Sequence, residues 1–264
     1  MILAEVLEEN GMKPVEIKGV RIGEGMPKIC VPIVARTEVE TLEQAKQILQ
    51  SKTDIVEWRV DWYEKGSDKE CVKALLSQLR KEMENTPILF TFRTKAEGGE
   101  SEIAFEKYAE LLRSVADTRM ADIIDVEVFQ KGDIPSLIKD IQREDVKVLC
   151  SNHDFEKTPK KKEVMERLEY MQELGADIAK IAVMPRCEED VQILLDATRE
   201  TAQHAKGPIV TMSMGEMGVR SRVEGESFGS AMTFGSAGKS SAPGQVPACE
   251  LRSMLEKIHC QVKA

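Results

Sequence analysis

TPKKKEVMERLEYMQELGADIAKIAVMPRCEEDVQILL, residues 158–195, decides the fold, because helical and extended periodicities succeed one another there without a gap. Val164, Met165, Leu168, Met171 and Leu174 recur at helical spacing until Gly175, which suits the left-handed residue just past a helix end. Thr158 and Pro159 read as the N-cap and first residue of that helix, while Lys160, Lys161 and Lys162 oppose its dipole. From Ile178 to Met184 every residue except Lys180 is apolar, as in a strand covered on both faces. Glu188, Glu189 and Asp190 then suit the first turn of a second helix carried by Val191, Leu194 and Leu195. Helix, strand, helix is the repeating unit of a parallel α/β fold.

Outward from this stretch, the pattern recurs along the whole chain. Short β-rich runs lie at 28–34, 55–60, 88–93, 123–128, 146–151, 178–183, 209–214 and 231–234. Eight such runs in 264 residues match a (β/α)8 TIM barrel of roughly 250 residues folded as one domain. Ahead of them, residues 15–23 alternate and carry Gly19 and Gly23, which predicts a β-hairpin capping the bottom of the barrel. One domain over residues 1–264 is expected, with residues 1–12 an acidic extension without an assigned role.

A formal net charge of −9 argues against nucleic acid or an anionic membrane as partner, since both call for a basic face. A small-molecule substrate is the expectation, and if it is anionic its positive counterpart must be local. No apolar run approaches the roughly 18 residues of a membrane span. The acidic start lacks the basic region of a signal peptide, so the reading is cytoplasmic. The six cysteines, Cys30, Cys71, Cys150, Cys187, Cys249 and Cys260, show no metal-ligand spacing. They read as reduced thiols, mostly core filler, with no metal site expected.

Lys180 carries the chemistry of the central stretch. Removing an amine from water disfavours its ammonium form; lowering its pKa from about 10.4 to about 7–8 corresponds to roughly 4 kcal/mol. Such an amine is a nucleophile near neutrality. The segment alone equally allows a lysine snorkelling from a strand or paired with a carboxylate.

In a barrel of this class the site lies at the C-terminal strand ends. Strand periodicity puts Glu57, Arg59 and Asp61 on one face and Trp58 and Val60 on the other; a structural ion pair is the alternative reading. The third run ends in Arg93, followed by Glu97-Gly98-Gly99-Glu100, the fourth holds Asp125 and Glu127, and the fifth ends in His153, a residue able to give and take protons near neutrality. His204 and His259 read as surface residues. Met212 and Met214 share a face of the seventh run, Arg222 follows it, and 236–245 is a long loop of small residues, read as a lid or a phosphate cradle.

These residues together resemble type I 3-dehydroquinate dehydratase. The likeness rests on EWRVD at 57–61, FTFR at 90–93 with EGGE at 97–100, SNHDF at 151–155, KTP at 157–159, MQELGADIAKIAVMP at 171–185, TMSMG at 211–215, FGSAMTFG at 228–235 and SAPGQ at 241–245. It spans about residues 16–258 in order. The resemblance implies a barrel that dehydrates 3-dehydroquinate in the shikimate pathway, without metal or organic cofactor and commonly as a homodimer. It implies Lys180 as the Schiff-base nucleophile, His153 as the proton carrier and Glu97 as its orienting partner. Glu57, Trp58, Arg59 and Arg93 fall at substrate-binding positions, Arg222 at a carboxylate clamp, Met212 and Phe234 at apolar walls, and Ser241, Ala242 and Gln245 on a lid. Pro32 departs from the pattern, standing where some relatives carry a serine. A class I aldolase-like Schiff-base lyase and a non-enzymatic binding barrel are the competing readings.

Overall fold

The computed structural model describes residues 12–238 and 241–262; residues 1–11 of the acidic extension, and Lys239 and Ser240 in the lid segment, lie outside them. Strands β1 (Val15–Ile17) and β2 (Val20–Ile22) pair antiparallel, with Val15 opposite Ile22. Lys18 and Gly19 turn between them at φ of 49° and 81°, a pair of left-handed residues matched to the twist of a two-residue hairpin.

The eight apolar runs become eight parallel strands: β3 (Lys28–Ile33), β4 (Ile55–Arg59), β5 (Ile88–Thr91), β6 (Ile123–Glu127), β7 (Lys147–Asp154), β8 (Ile178–Val183), β9 (Ile209–Ser213) and β10 (Met232–Ser236). From β3 to β9 consecutive strands pair in six parallel ladders, and β10 pairs with β3. Closure between β9 and β10 is made by a bridge at Ile209 and Ser230, where the Ala231 N–H donates to the Ile209 carbonyl at 2.8 Å. A short strand the sequence did not disclose, β11 (Val246–Pro247), adds to the outer end of β10. The outer ring comprises α1 (Glu38–Leu49), α2 (Lys69–Met83), α3 (Phe105–Ala116), α4 (Ile134–Arg143), α5 (Lys161–Glu173), α6 (Glu188–Ala202), the short α7 (Val219–Val223) and α8 (Ala248–Val262).

Alternation along each strand builds two separate apolar layers. Outward residues such as Val56, Phe90, Val126, Val148 and Ile181 pack beneath the helices. Inward residues Cys30, Ile55, Leu89, Ile123, Leu149, Ile178, Val210 and Met232, one from each strand, fill the lower barrel and meet Val15, Ile17 and Ile22 of the hairpin. Each such aliphatic side chain contributes roughly 1.5–3 kcal/mol by leaving water, so the hairpin closes the bottom by burial. The site must then lie at the opposite end.

Three expectations need correction. Trp58 is 1% exposed within the outer layer, against Tyr63 and Phe90, because its parity along β4 turns it away from the barrel axis; it is not at the site. Helix α5 starts at Lys161 with Lys160 as N-cap, not at Thr158 and Pro159, because the Thr158 hydroxyl donates instead to the Met184 carbonyl at 3.3 Å. All six cysteines are free, but only Cys30 and Cys150 are buried, while Cys187, Cys249 and Cys260 are exposed. Their helix-end and surface positions give them no core to fill. Among the described residues no helix is long and apolar enough to cross a membrane.

Candidate active site

A step of two residues up β4, β6 and β8 replaces the apolar floor by charge, at Glu57, Asp125 and Lys180. Lys180 follows Ile178 on β8 and is 4% exposed. Its Nζ lies 4.0 Å from Asp125 Oδ2 and 4.4 Å from the Phe234 ring centroid. Asp125 is already engaged, accepting from Arg93 Nη2 at 2.7 Å and from the Ser151 hydroxyl at 2.7 Å, so it is shared between the guanidinium and the ammonium. Burial lowers the lysine pKa; Asp125 and Glu57 oppose the shift, and Arg93 adds to it. Desolvation therefore outweighs the neighbouring acids, which is the condition for a nucleophilic amine.

His153 stands on the next strand, two residues beyond Ser151, the register partner of Lys180. Its Nδ1 lies 2.9 Å from Glu97 Oε2, and its own backbone N–H donates to the same oxygen at 2.9 Å. Glu97 closes a turn of 3-10 helix after β5, and Gly98 follows at φ 84°. A Cβ on Gly98 would sit 2.2 Å from the Phe155 ring, so glycine lets that aromatic approach the loop carrying Glu97. Burial and Glu127 push the Glu97 carboxyl up to about 8. Burial, then the Arg93, Lys180 and Arg59 cations, hold the imidazolium of His153 well below its usual range. Together they act as one site holding a single proton near neutrality, which a coupled pair titrates jointly.

The arginines divide into two kinds. Arg59 forms a fork on Asp61 at 2.8 and 2.9 Å, and Arg93 is held by Asp125, Glu127 and Ser151 at 2.7 to 3.0 Å. Arg222, on α7 and 2% exposed, meets no acid among the described residues. It donates to the Pro243 carbonyl at 3.1 Å and the Phe234 carbonyl at 3.5 Å, and touches Met212 Sδ at 3.6 Å, while its Nε finds no partner. Burial alone pushes its pKa down to about 10. A buried guanidinium with neutral partners is a ready receptor for a carboxylate.

Lys180, His153, Glu97, Glu57, Arg59, Arg93, Met212, Arg222, Phe234, Ser241, Ala242 and Gln245 line one cavity, joined by Gly98, Phe155, Ala182 and Met214. Glu57 accepts the Thr91 hydroxyl at 2.8 Å. Gln245 and Ser241 bond each other twice at 2.9 Å, folding the described part of the 236–245 loop over the cavity. Pro32 is buried beside Glu57 in register and does not line the cavity. Gly98 and Phe155 stand within the motifs at 97–100 and 151–155 but carry no expected role there, since only the loop packing brings them to the mouth. Among the described residues no group of three His, Cys, Asp or Glu side chains could hold a metal ion.

Fold and site define a (β/α)8-barrel lyase of the Schiff-base class, with an amine, a proton carrier and a carboxylate receptor facing one cavity. A family model described as type I 3-dehydroquinase matches residues 29–261. The chain is 49% identical over 251 residues to 3-dehydroquinate dehydratase of Listeria welshimeri, covering 95% of this chain and 100% of that protein. To the enzyme of Clostridium botulinum it is 50% identical over 247 residues, covering 93% and 97%. Crystal structures from Clostridium difficile (TM-score 0.91, 47% identity, covering 95% and 99%) and Geobacillus kaustophilus (TM-score 0.93, 32% identity, covering 98% and 99%) share the fold. The chain belongs to the type I 3-dehydroquinase family, the hydro-lyases that dehydrate 3-dehydroquinate in the shikimate pathway through a Schiff base.

Proposed function

We propose that in this chain Lys180 forms the Schiff base, His153 moves the protons and Glu97 holds the imidazole. The buried amine of Lys180, facing the same cavity as the His153–Glu97 pair and Arg222, whose partners among the described residues are neutral, carries this reading. The amine adds to the substrate ketone and, with loss of water, gives a protonated imine. His153 takes the proton from the carbon next to the imine; the freed electron pair forms a C=C bond as the C=N π pair moves onto nitrogen, leaving an enamine. The enamine returns its electrons as the hydroxyl one carbon further leaves, protonated by His153, so that water departs and a conjugated imine remains. Water then hydrolyses the imine, releasing 3-dehydroshikimate and the free amine. The proton taken is the proton given, so the pair ends the cycle in the state in which it began.

Arg222 receives the substrate carboxylate, and Glu57, Arg59 and Arg93 address its hydroxyls and ring. Met212 and Phe234 form apolar walls, and Ser241, Ala242 and Gln245 close over the ring. The Clostridium difficile relative is described with covalent modified comenic acid, in keeping with a nucleophile in the shared site. We further propose a single-domain, cytoplasmic protein acting as a homodimer, by likeness to the family.

An ultraviolet assay for the conjugated enone, coupled to borohydride trapping with 3-dehydroquinate, tests the reading. Enone formation and a stable adduct on Lys180 are expected. Absence of the adduct despite substrate binding overturns the imine, and carbon–carbon cleavage without enone would favour an aldolase.

A further inference from the structure

Behind the His153–Glu97 pair a second line of contacts runs out of the barrel. Asn152 precedes His153 on β7, and its parity turns it toward the helices, where it is 7% exposed. Its Nδ2 donates to Glu97 Oε1 at 3.2 Å, and its Oδ1 accepts from Arg167 Nη1 at 2.7 Å. Arg167 lies mid-way along α5, is bonded by its other nitrogen to Glu163, and rests over the Phe129 ring at 5.7 Å.

These contacts fix the Asn152 amide in one orientation. A guanidinium can only donate, so the oxygen of the amide must face Arg167 and its N–H₂ must face Glu97. A proton on Glu97 Oε1 would then point at another donor. The remaining oxygen, Oε2, faces the backbone N–H of His153 and Nδ1, so any proton held by the pair lies in the contact with the imidazole. Other charges facing Glu97 are Arg93 at 3.7 Å on its own segment and, from β6, Glu127 and Asp125; Arg59 and Lys180 face His153. Glu127 and burial oppose the carboxylate, whereas Arg93 and Asn152 favour it.

We propose that Asn152, locked by Arg167, is a positioning residue for the reaction: it donates to Glu97 Oε1, directs the proton of the pair to the imidazole, and sets the pH at which His153 becomes a base. Arg167 acts through Asn152 alone. The inference rests on the assignment of His153 as proton carrier.

Removing a donor to a carboxylate favours its protonated form, so the pair must release its proton at higher pH. The decisive readout is the acid limb of kcat, measured once Lys180 is already an imine and its own titration no longer counts. Asn152→Leu and Arg167→Met should each move that limb up by about one pH unit, the scale of one hydrogen bond to a charged group. The double variant should move it no further, and Arg167→Lys should restore most of the shift. If Asn152→Leu does not fold, the half-buried Arg167→Met carries the test. A uniform fall in kcat with the limb unmoved, or no change at all, overturns the inference. Full activity in His153→Ala would instead overturn the assignment beneath it, leaving the two failures distinguishable.

Discussion

The lower and upper halves of the barrel interior lie on the same inward-facing rows, two residues apart, and they do opposite things. On β8 the step is from Ile178 to Lys180, on β4 from Ile55 to Glu57 and Arg59, on β6 from Ile123 to Asp125, and on β7 from Leu149 to Ser151 and His153. The lower residues stabilise the barrel by excluding water under the hairpin. The upper ones are buried or nearly so yet are polar, and each is tolerated because it has a partner or a use. A buried ion pair is weak evidence for stability, so the Arg93, Asp125 and Glu127 cluster is better understood as a frame that keeps Lys180 without a free acid of its own.

The largest test of this division removes the nucleophile. Lys180→Met should abolish turnover, with a loss on the order of 10⁶-fold, the scale seen when a covalent nucleophile is deleted. The same change should raise the unfolding temperature, since a desolvated amine is replaced by an apolar chain of similar length. An ultraviolet rate assay and a thermal melt on one sample check both halves. A variant that loses stability along with activity would place Lys180 in the structural half.

His153→Ala should lower kcat by about 10² to 10⁴-fold, the range of general acid–base catalysis, while borohydride with substrate still traps an adduct slowly. Mass spectrometry of the trapped protein separates this from loss of the imine. One floor lower, Ile178→Ala should cost about 2–5 kcal/mol of stability by leaving a cavity and keep kcat near its starting value at low temperature. Urea unfolding and the same rate assay are the measurements. A large kcat loss there would mean that the two halves are mechanically coupled. Arg222→Gln should raise KM about ten- to a hundred-fold, from the loss of a charged hydrogen bond, with kcat changed less; an unchanged KM would remove its role as carboxylate receptor.

Period-two alternation made much of this legible. It put Glu57 and Arg59 on one face of their strand and Trp58 on the other, where the structure has it, whereas Lys180 needed its neighbours to be read as more than a buried amine. The place of Trp58 among the substrate-binding positions came from contiguity with Glu57 and Arg59 in one motif, and contiguity does not decide which way a side chain points. The start of α5 was misread because the bond from Thr158 to Met184 joins residues 26 apart, and capping rules count only local donors. Asn152 and Arg167 went unnoticed for the same reason. Their contact joins a strand to a helix, and neither residue type announces a role in isolation. Arg222 was legible as a candidate, but the absence of an acid around it is a property of packing.

The smallest expected effect concerns pH, and it lies in the upper half alone. Glu97 keeps its proton in the folded state up to about 8 against an ordinary 4.5, so its burial weakens the fold progressively as pH rises through that interval. His153 has the opposite sign: its folded pKa is depressed below 6.5, so the unfolded chain binds the extra proton below that value and stability rises with pH there. Between about 4.5 and 6.5 the unfolded chain carries one proton on histidine and the folded pair carries one near Glu97, and the two slopes cancel. From about 6.5 to 8 only the folded pair holds a proton, so stability should fall by at most about 1.4 kcal/mol per pH unit. Glu97→Gln should abolish that decline, while His153→Ala should extend it down toward pH 5. Urea midpoints at pH 5, 6.5 and 8 for the three proteins decide the matter. A flat wild-type curve between 6.5 and 8, matching that of Glu97→Gln, would show that the pair does not hold its proton in the folded enzyme.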